Sequence, residues 1–249
     1  MNRRAIIISN PGEPGAENFC EGVNKDVTSY TRFLKTPVGG LWFDAEVIHY
    51  ARPSAAEILG AVADLARVEY SVIIFSGHGF YSTTRLTTVL ELRGGQQIDA
   101  NALRLRSGRQ SLILDCCREK HPELPREISF GMRVLKAAAR INPENCRRLY
   151  DQRILECPQE LVALYACGVG QTAADMSDTG GVYSHNLLTG ASEWAENLNI
   201  NTSVNHSILS IATAHENAAA RVRHVRGDRQ TPTIEKPRSE PYYPFCVVA

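Results

Sequence analysis

Two short polar motifs carry the residues best suited to chemistry. Ser76-Gly77-His78-Gly79 follows the apolar run Tyr70 to Phe75, and Asp115-Cys116-Cys117-Arg118 follows the apolar run Ser111 to Leu114, so His78 precedes Cys117 by 39 residues. A histidine brought beside a cysteine takes the thiol proton and leaves a thiolate able to attack a carbonyl carbon. Glycine next to that histidine lets the backbone approach a substrate closely. Successive residues leaving a strand point to opposite sides, so only one of Cys116 and Cys117 can face His78.

Such chemistry requires the two motifs to meet, and the apolar pattern says how. Short runs at Ala5 to Ser9, Ala45 to His49, Tyr70 to Phe75, Ser111 to Leu114 and Leu161 to Ala166 alternate with helical patterns. That alternation predicts parallel strands joined by crossover helices, with sites beyond the carboxyl ends of the strands. Helices are expected from about Asn24 to Leu34, after Pro53-Ser54, at Met132 to Arg140, at Cys146 to Leu155, at Ser184 to Leu198 and at His206 to Val225. In the second of these, Ile58, Val62, Leu65 and Val68 recur at helical spacing, with Ser54 as cap and Glu57 as its capping-box partner. Leu86 to Leu92 with the Gly94-Gly95 turn reads as a hairpin, Ala100 to Leu105 as a short helix, and the tail PRSEPYYPFCVV as a last strand.

Composition bounds the function. A chain of 249 residues with 43% hydrophobic and 22% charged residues supports one core, and residues 1–249 read as a single domain. Lys plus Arg and Asp plus Glu both number 27, which leaves no basic field for nucleic acid or anionic lipid. The local cluster Arg221, Arg223, His224, Arg226 and Arg229 is interrupted by Asp228, with Glu235 close behind, and reads as a solvated surface. No apolar run approaches the roughly 20 residues of a membrane helix. Met1 to Ile8 has no h-region, so a cytoplasmic location is expected.

Seven cysteines, at 20, 116, 117, 146, 157, 167 and 246, form an odd set with an adjacent pair, which suits a reducing compartment better than a disulfide framework. Cys116, Cys117 and His121 lack a fourth ligand nearby, so neither metal nor cofactor is expected. Cys20, Cys146, Cys157 and Cys246 have no evident base beside them in the sequence and read as structural, and Cys167 as packing. The first apolar run is followed by NPGEPG rather than a GxGxxG turn, which counts against a nucleotide-binding domain.

SGHG and DCCR, taken with CEGVNKDV at 20 to 27, YACGVGQTAAD at 165 to 175 and GGVYSHNLL at 180 to 188, resemble in order the motifs of the caspase and metacaspase superfamily. CEGVNKDV departs from the family's G-C-x-N-D segment by one extra residue. The resemblance implies a caspase-like three-layer α/β sandwich, with a central, mainly parallel sheet of about six strands flanked by helices. It also implies a cysteine endopeptidase with Cys117 as nucleophile, His78 as base and the amides of Gly79 and Cys117 as oxyanion donors, Cys116 pointing away. Similarity to metacaspases assigns Asp26, Ser76 and Asp115 to a pocket for Arg or Lys. Asp115 shares a strand face with Cys117, whereas Arg3 and Arg4 lie at the wrong end of the sheet to hold an acidic side chain.

Asp175 and Gln171 match a family segment, Asp175 being either a site residue or a helix cap. The 118–160 connection resembles the family's activation linker, with any cleavage expected near Lys120 to Glu127. Gly168 and Val169 stand where calcium-dependent metacaspases carry an acidic pair, so activity is expected to survive a chelator. The implied partners are a protein or peptide substrate and an activating protein, in bacterial regulated cell death or antiphage defence. The alternative is a catalytically silent caspase-homology scaffold or signalling module, against which the intact His and Cys pair counts.

Overall fold

The computed structural model describes residues 1–119, 141–198 and 205–249. In chain order these form β1 (Arg3–Asn10), α1 (Gly22–Lys35), β2 (Val47–Ala51), α2 (Ala55–Asp64), β3 (Tyr70–Gly77), β4 (Gly79–Ser82), β5 (Thr87–Glu91), β6 (Gln97–Asp99), β7 (Arg109–Asp115), α3 (Pro143–Glu156), β8 (Leu161–Tyr165), β9 (Asp175–Met176), β10 (Gly180–Gly181), α4 (Val182–Glu196), β11 (Ser207–Ser210), α5 (Ile211–Arg226), β12 (Thr233–Glu235) and β13 (Pro244–Val248). The main sheet has six strands in the order β12-β8-β7-β3-β1-β2. β12 runs antiparallel to β8, and the other pairings are parallel.

The period-2 geometry of a strand explains why these runs are continuously apolar. Ala5, Ile7, Val72, Ile74, Ile113, Val162 and Leu164 turn to one face, where they pack with side chains of α1, α3, α4 and α5. Ile6, Ile8, Ile73, Phe75, Leu112, Leu114 and Ala163 turn to the other, against α2 and β5. Both layers exclude water, so neither strand face can be polar. The Ser54 box forms as the spacing predicts: Ser54 Oγ accepts from the Glu57 amide at 3.3 Å and Glu57 Oε2 accepts from the Ser54 amide at 2.8 Å.

Three elements differ from the sequence reading. Ser207–Ser210 is a strand rather than the start of a helix, because Ser210 Oγ accepts from the Thr213 amide at 3.1 Å and caps α5 at that point. The C-terminal strand forms, but β13 pairs with β11 outside the main sheet. The sixth strand of the main sheet is instead β12, whose three residues carry no legible period. The expected hairpin extends to a three-stranded sheet, β4-β5-β6. The expected helix at Met132 to Arg140 and the cleavage stretch at Lys120 to Glu127 lie outside the described residues. No helix among those described is long and apolar enough to cross a membrane.

β3 and β7 are neighbours, with Ser76 opposite Asp115, so His78 and Cys117 leave the same edge of the sheet side by side. Ile113, 1% exposed, lies two residues before Asp115 on the strand that leads to Cys117. Ile113→Ala is expected to lower stability by about 2–5 kcal/mol through the cavity it leaves, measured by urea denaturation.

Candidate active site

His78 is placed by a glycine. Gly77 ends β3 with φ +153, and a Cβ there would collide with the Asn10 carbonyl oxygen, so no other residue lets β3 close against the end of β1. The His78 amide then donates to Asn10 O at 3.3 Å, and its carbonyl accepts from the Glu91 amide at 3.0 Å. The ring turns towards the segment after β1. Nε2 lies 3.2 Å from Pro11 O and 3.6 Å from Cys20 Sγ. Cys20 thus has a base beside it, contrary to the sequence reading. The loop that brings them together spans residues 11–20, and nothing in its local pattern shows the contact.

Cys117 follows β7, half-buried, and its thiol donates to Ala173 O at 3.6 Å. Burial pushes that thiol up to about 11, with the Ala173 bond acting the other way. Among the described residues no hydrogen bond joins Cys117 to His78. Cys116 is 2% exposed and belongs to the opposite core layer with Leu112 and Leu114. The strand alternation therefore leaves Cys117 as the more accessible of the pair.

Three carboxylates gather beside the two motifs. Asp26 is buried on α1, where Oδ2 accepts from Ser76 Oγ at 2.6 Å and Oδ1 accepts from the Gly181 amide at 3.0 Å. The extra residue in CEGVNKDV therefore leaves Asp26 in contact with Ser76. Asp115 Oδ2 accepts from both the amide and the hydroxyl of Ser184, at 3.0 and 2.6 Å. That amide belongs to the first turn of α4, so the helix N-terminus faces the carboxylate. Gly181 is required here because a Cβ would strike Asp115 Oδ2. Asp175 Oδ2 accepts from the amide of Gly22, the first residue of α1, at 3.1 Å. Asp175 is therefore a helix cap, but of a helix about 150 residues earlier in the chain.

Burial, then the neighbouring Asp115, raises Asp26 well above the ordinary carboxylate range. Burial brings Asp115 to about 6. Asp175 is also raised by burial, while the nearby His78 opposes that rise. Among the described residues no lysine or arginine is ion-paired with any of the three. Asp115 Oδ1 carries no hydrogen bond from them either. The arrangement is a buried acidic cluster, unpaired with any cation among the described residues, beside a thiol and an imidazole.

Gly181 and Ser184 both lie within GGVYSHNLL, whose sequence alone does not show that they meet Asp26 and Asp115. Gln171 has a supporting part: its Oε1 accepts from the amides of Gly168 and Thr231 at 2.9 and 2.8 Å and so knits the loop after β8. No trio of His, Cys, Asp or Glu among the described residues is arranged to hold a metal ion.

The raised Asp115 carboxyl fixes the sign of a pH effect. Its folded form binds a proton more tightly than the unfolded chain does, so its contribution to stability falls as pH rises from about 3.8 to about 6. Asp115→Asn removes that loss. Its Tm relative to wild type is expected to be higher at pH 7.5 than at pH 4.5, by scanning calorimetry; a difference that is flat or falling with pH would contradict the assignment.

The sequence matches the caspase domain family model over residues 2–243. No curated protein matches it. Among solved structures, caspase-1 from Spodoptera frugiperda superposes with a TM-score of 0.60 at 12% identity, over 94% of this chain and 88% of that one. At that identity the superposition speaks for the fold. With the motif order, the six-stranded sheet and a family match over nearly its whole length, the chain belongs to the caspase domain family of cysteine peptidases.

Proposed function

We propose that this chain is a cysteine endopeptidase that cleaves after Arg or Lys, with Cys117 as nucleophile and His78 as general base. The observation that supports this specificity is the pair Asp26 and Asp115, two buried carboxylates facing no cation among the described residues. Asp115 Oδ1 is left to accept from a guanidinium or ammonium group, and the half-buried Asp175 adds negative charge beside it. An acidic side chain would meet like charge there, which is strongly unfavourable in a desolvated site.

In this reading the thiol is protonated at rest, held by Ala173 and raised by burial. His78 leaves Pro11 and Cys20, takes the proton of Cys117, and the thiolate adds to the scissile carbonyl. The amides of Gly79 and Cys117 stabilise the oxyanion, a contribution of roughly 3–4 kcal/mol per donor in comparable sites. His78 then protonates the leaving amine, and water releases the acyl group. The enzyme acts in the cytoplasm, which its seven free cysteines favour. It serves bacterial regulated cell death or antiphage defence downstream of an activating protein, a role that rests on family likeness alone.

The second reading is a catalytically silent scaffold, favoured by the missing hydrogen bond between His78 and Cys117. A reactive-cysteine probe separates the two. Labelling at Cys117 that is lost in His78→Ala supports the enzyme, whereas labelling indifferent to His78 supports the scaffold.

Cys117→Ala is expected to reduce peptidase activity by roughly 10³-fold or more, while Cys116→Ala keeps most of it. Equal loss in a stable Cys116→Ala would move the nucleophile by one residue. In fluorogenic peptides differing only at the cleaved position, Arg and Lys are turned over and Asp is not. Asp115→Ala lowers Arg turnover by roughly 10²-fold or more, with Cys117 still labelled. Turnover of the Asp peptide alone would sink the pocket assignment.

A further inference from the structure

Arg118, the residue after the nucleophile, turns into a cleft of about 260 Å³ between the β4-β5 hairpin and the β8-β12 edge. Its guanidinium is fixed on three sides. Nε donates to Thr88 Oγ1 at 2.9 Å, and Nη1 donates to Cys167 O at 3.2 Å and Thr233 Oγ1 at 3.3 Å. The rings of Tyr165 and Tyr81 flank it, 4.1 and 5.8 Å from its central carbon.

The charge itself is not paired. Nη2 makes no hydrogen bond with the described residues, and none of their carboxylates reaches Arg118. Glu235 lines the same cleft, but both its oxygens are taken by Arg104, at 2.7 and 2.6 Å. Among the described residues one positive charge is thus left over in a half-buried, polar hollow. Carbonyls, hydroxyls and aromatic faces solvate a guanidinium only in part, and an oxyanion on the unused edge would add a charge-assisted hydrogen bond in a geometry Arg suits.

We propose that this cleft is an oxyanion site, taking a carboxylate or phosphate group against Arg118 Nη2, and that its occupancy adjusts the reactivity of Cys117. The link runs through the chain itself. The Arg118 amide donates to Gln171 O at 2.9 Å, and the Gly170 amide donates to Arg118 O at 2.7 Å. Two residues beyond Gln171 is Ala173, whose carbonyl holds the Cys117 thiol. An anion that pulls on Arg118 therefore pulls on the loop that holds the nucleophile. None of this depends on which residue the peptidase cleaves after.

The test follows thermal unfolding of the full chain in inorganic phosphate, acetate or chloride at matched ionic strength, with the alkylation rate of Cys117 by iodoacetamide measured by peptide mass spectrometry. Phosphate, acetate or both are expected to raise Tm saturably above the chloride control. A response to phosphate alone assigns a phosphate ligand, and one to acetate a carboxylate. Asn101 is exposed on the cleft wall, so Asn101→Asp folds and adds a carboxylate to the cleft that Arg118 enters. It should weaken the half-saturation concentration at least tenfold, and Arg118→Lys, which lacks Nη2, should do the same. Saturating anion should change the alkylation rate at least twofold in wild type and leave Asn101→Asp unchanged. A Tm that ignores both anions, or a response that survives Asn101→Asp, overturns the site; binding without a change in alkylation overturns the coupling.

Discussion

Burying carboxylates that no cation among the described residues pairs with is the constraint around which this structure is arranged. Asp26 and Asp115 lose nearly all their water beyond the ends of β3 and β7, a loss that only hydrogen-bond donors can offset. The donors come from separate parts of the chain: Ser76 from β3, Gly181 from β10 and Ser184 from the first turn of α4. Each fixes the residue that carries it. Gly181 has no room for a side chain, α4 must start where its N-terminus meets Asp115, and α1 must lie where Asp26 reaches both Ser76 and Gly181. The pocket and the packing of two helices on the sheet are therefore one arrangement.

The same edge of the sheet holds a half-buried thiol. Cys117 is desolvated enough to keep its proton, and a carbonyl oxygen holds the thiol. His78 is turned towards Pro11 and Cys20, on the segment that leaves β1. Adjacency of β3 and β7 brings thiol and imidazole to one place without forcing a hydrogen bond between them. The partners that hold the two groups lie on loops, those of residues 11–20 and 166–174, rather than on the sheet. Loops open at far lower free energy than core strands.

Much was legible in the residues alone. Five apolar runs bounded by breakers gave five of the six strands of the main sheet, because a strand covered on both faces has to be apolar throughout. SGHG and DCCR could be placed at neighbouring carboxyl ends before any coordinates, since a parallel sheet puts its sites there. Ser54 and Glu57 marked the start of α2 through purely local hydrogen bonds. The family motifs supplied Asp26, Ser76 and Asp115, and Asp26 and Ser76 do touch.

Other features depended on tertiary contacts. β12 is three residues long and exists because β8 offers it an edge, and β13 chooses β11 over the main sheet. Asp175 caps a helix far behind it in the chain, a pairing no local window contains. Cys20 acquired a base from residue 78, and Arg118 has no carboxylate partner among the described residues, where Glu235 is held by Arg104. Sequence by itself determined the elements and the kind of chemistry, because periodicity, capping and residue type act over a few neighbouring positions. Which thiol meets the histidine and, among the described residues, which carboxylates go without a cation and which cation goes without an acid were decided only by the fold, because they depend on distances between residues far apart along the chain.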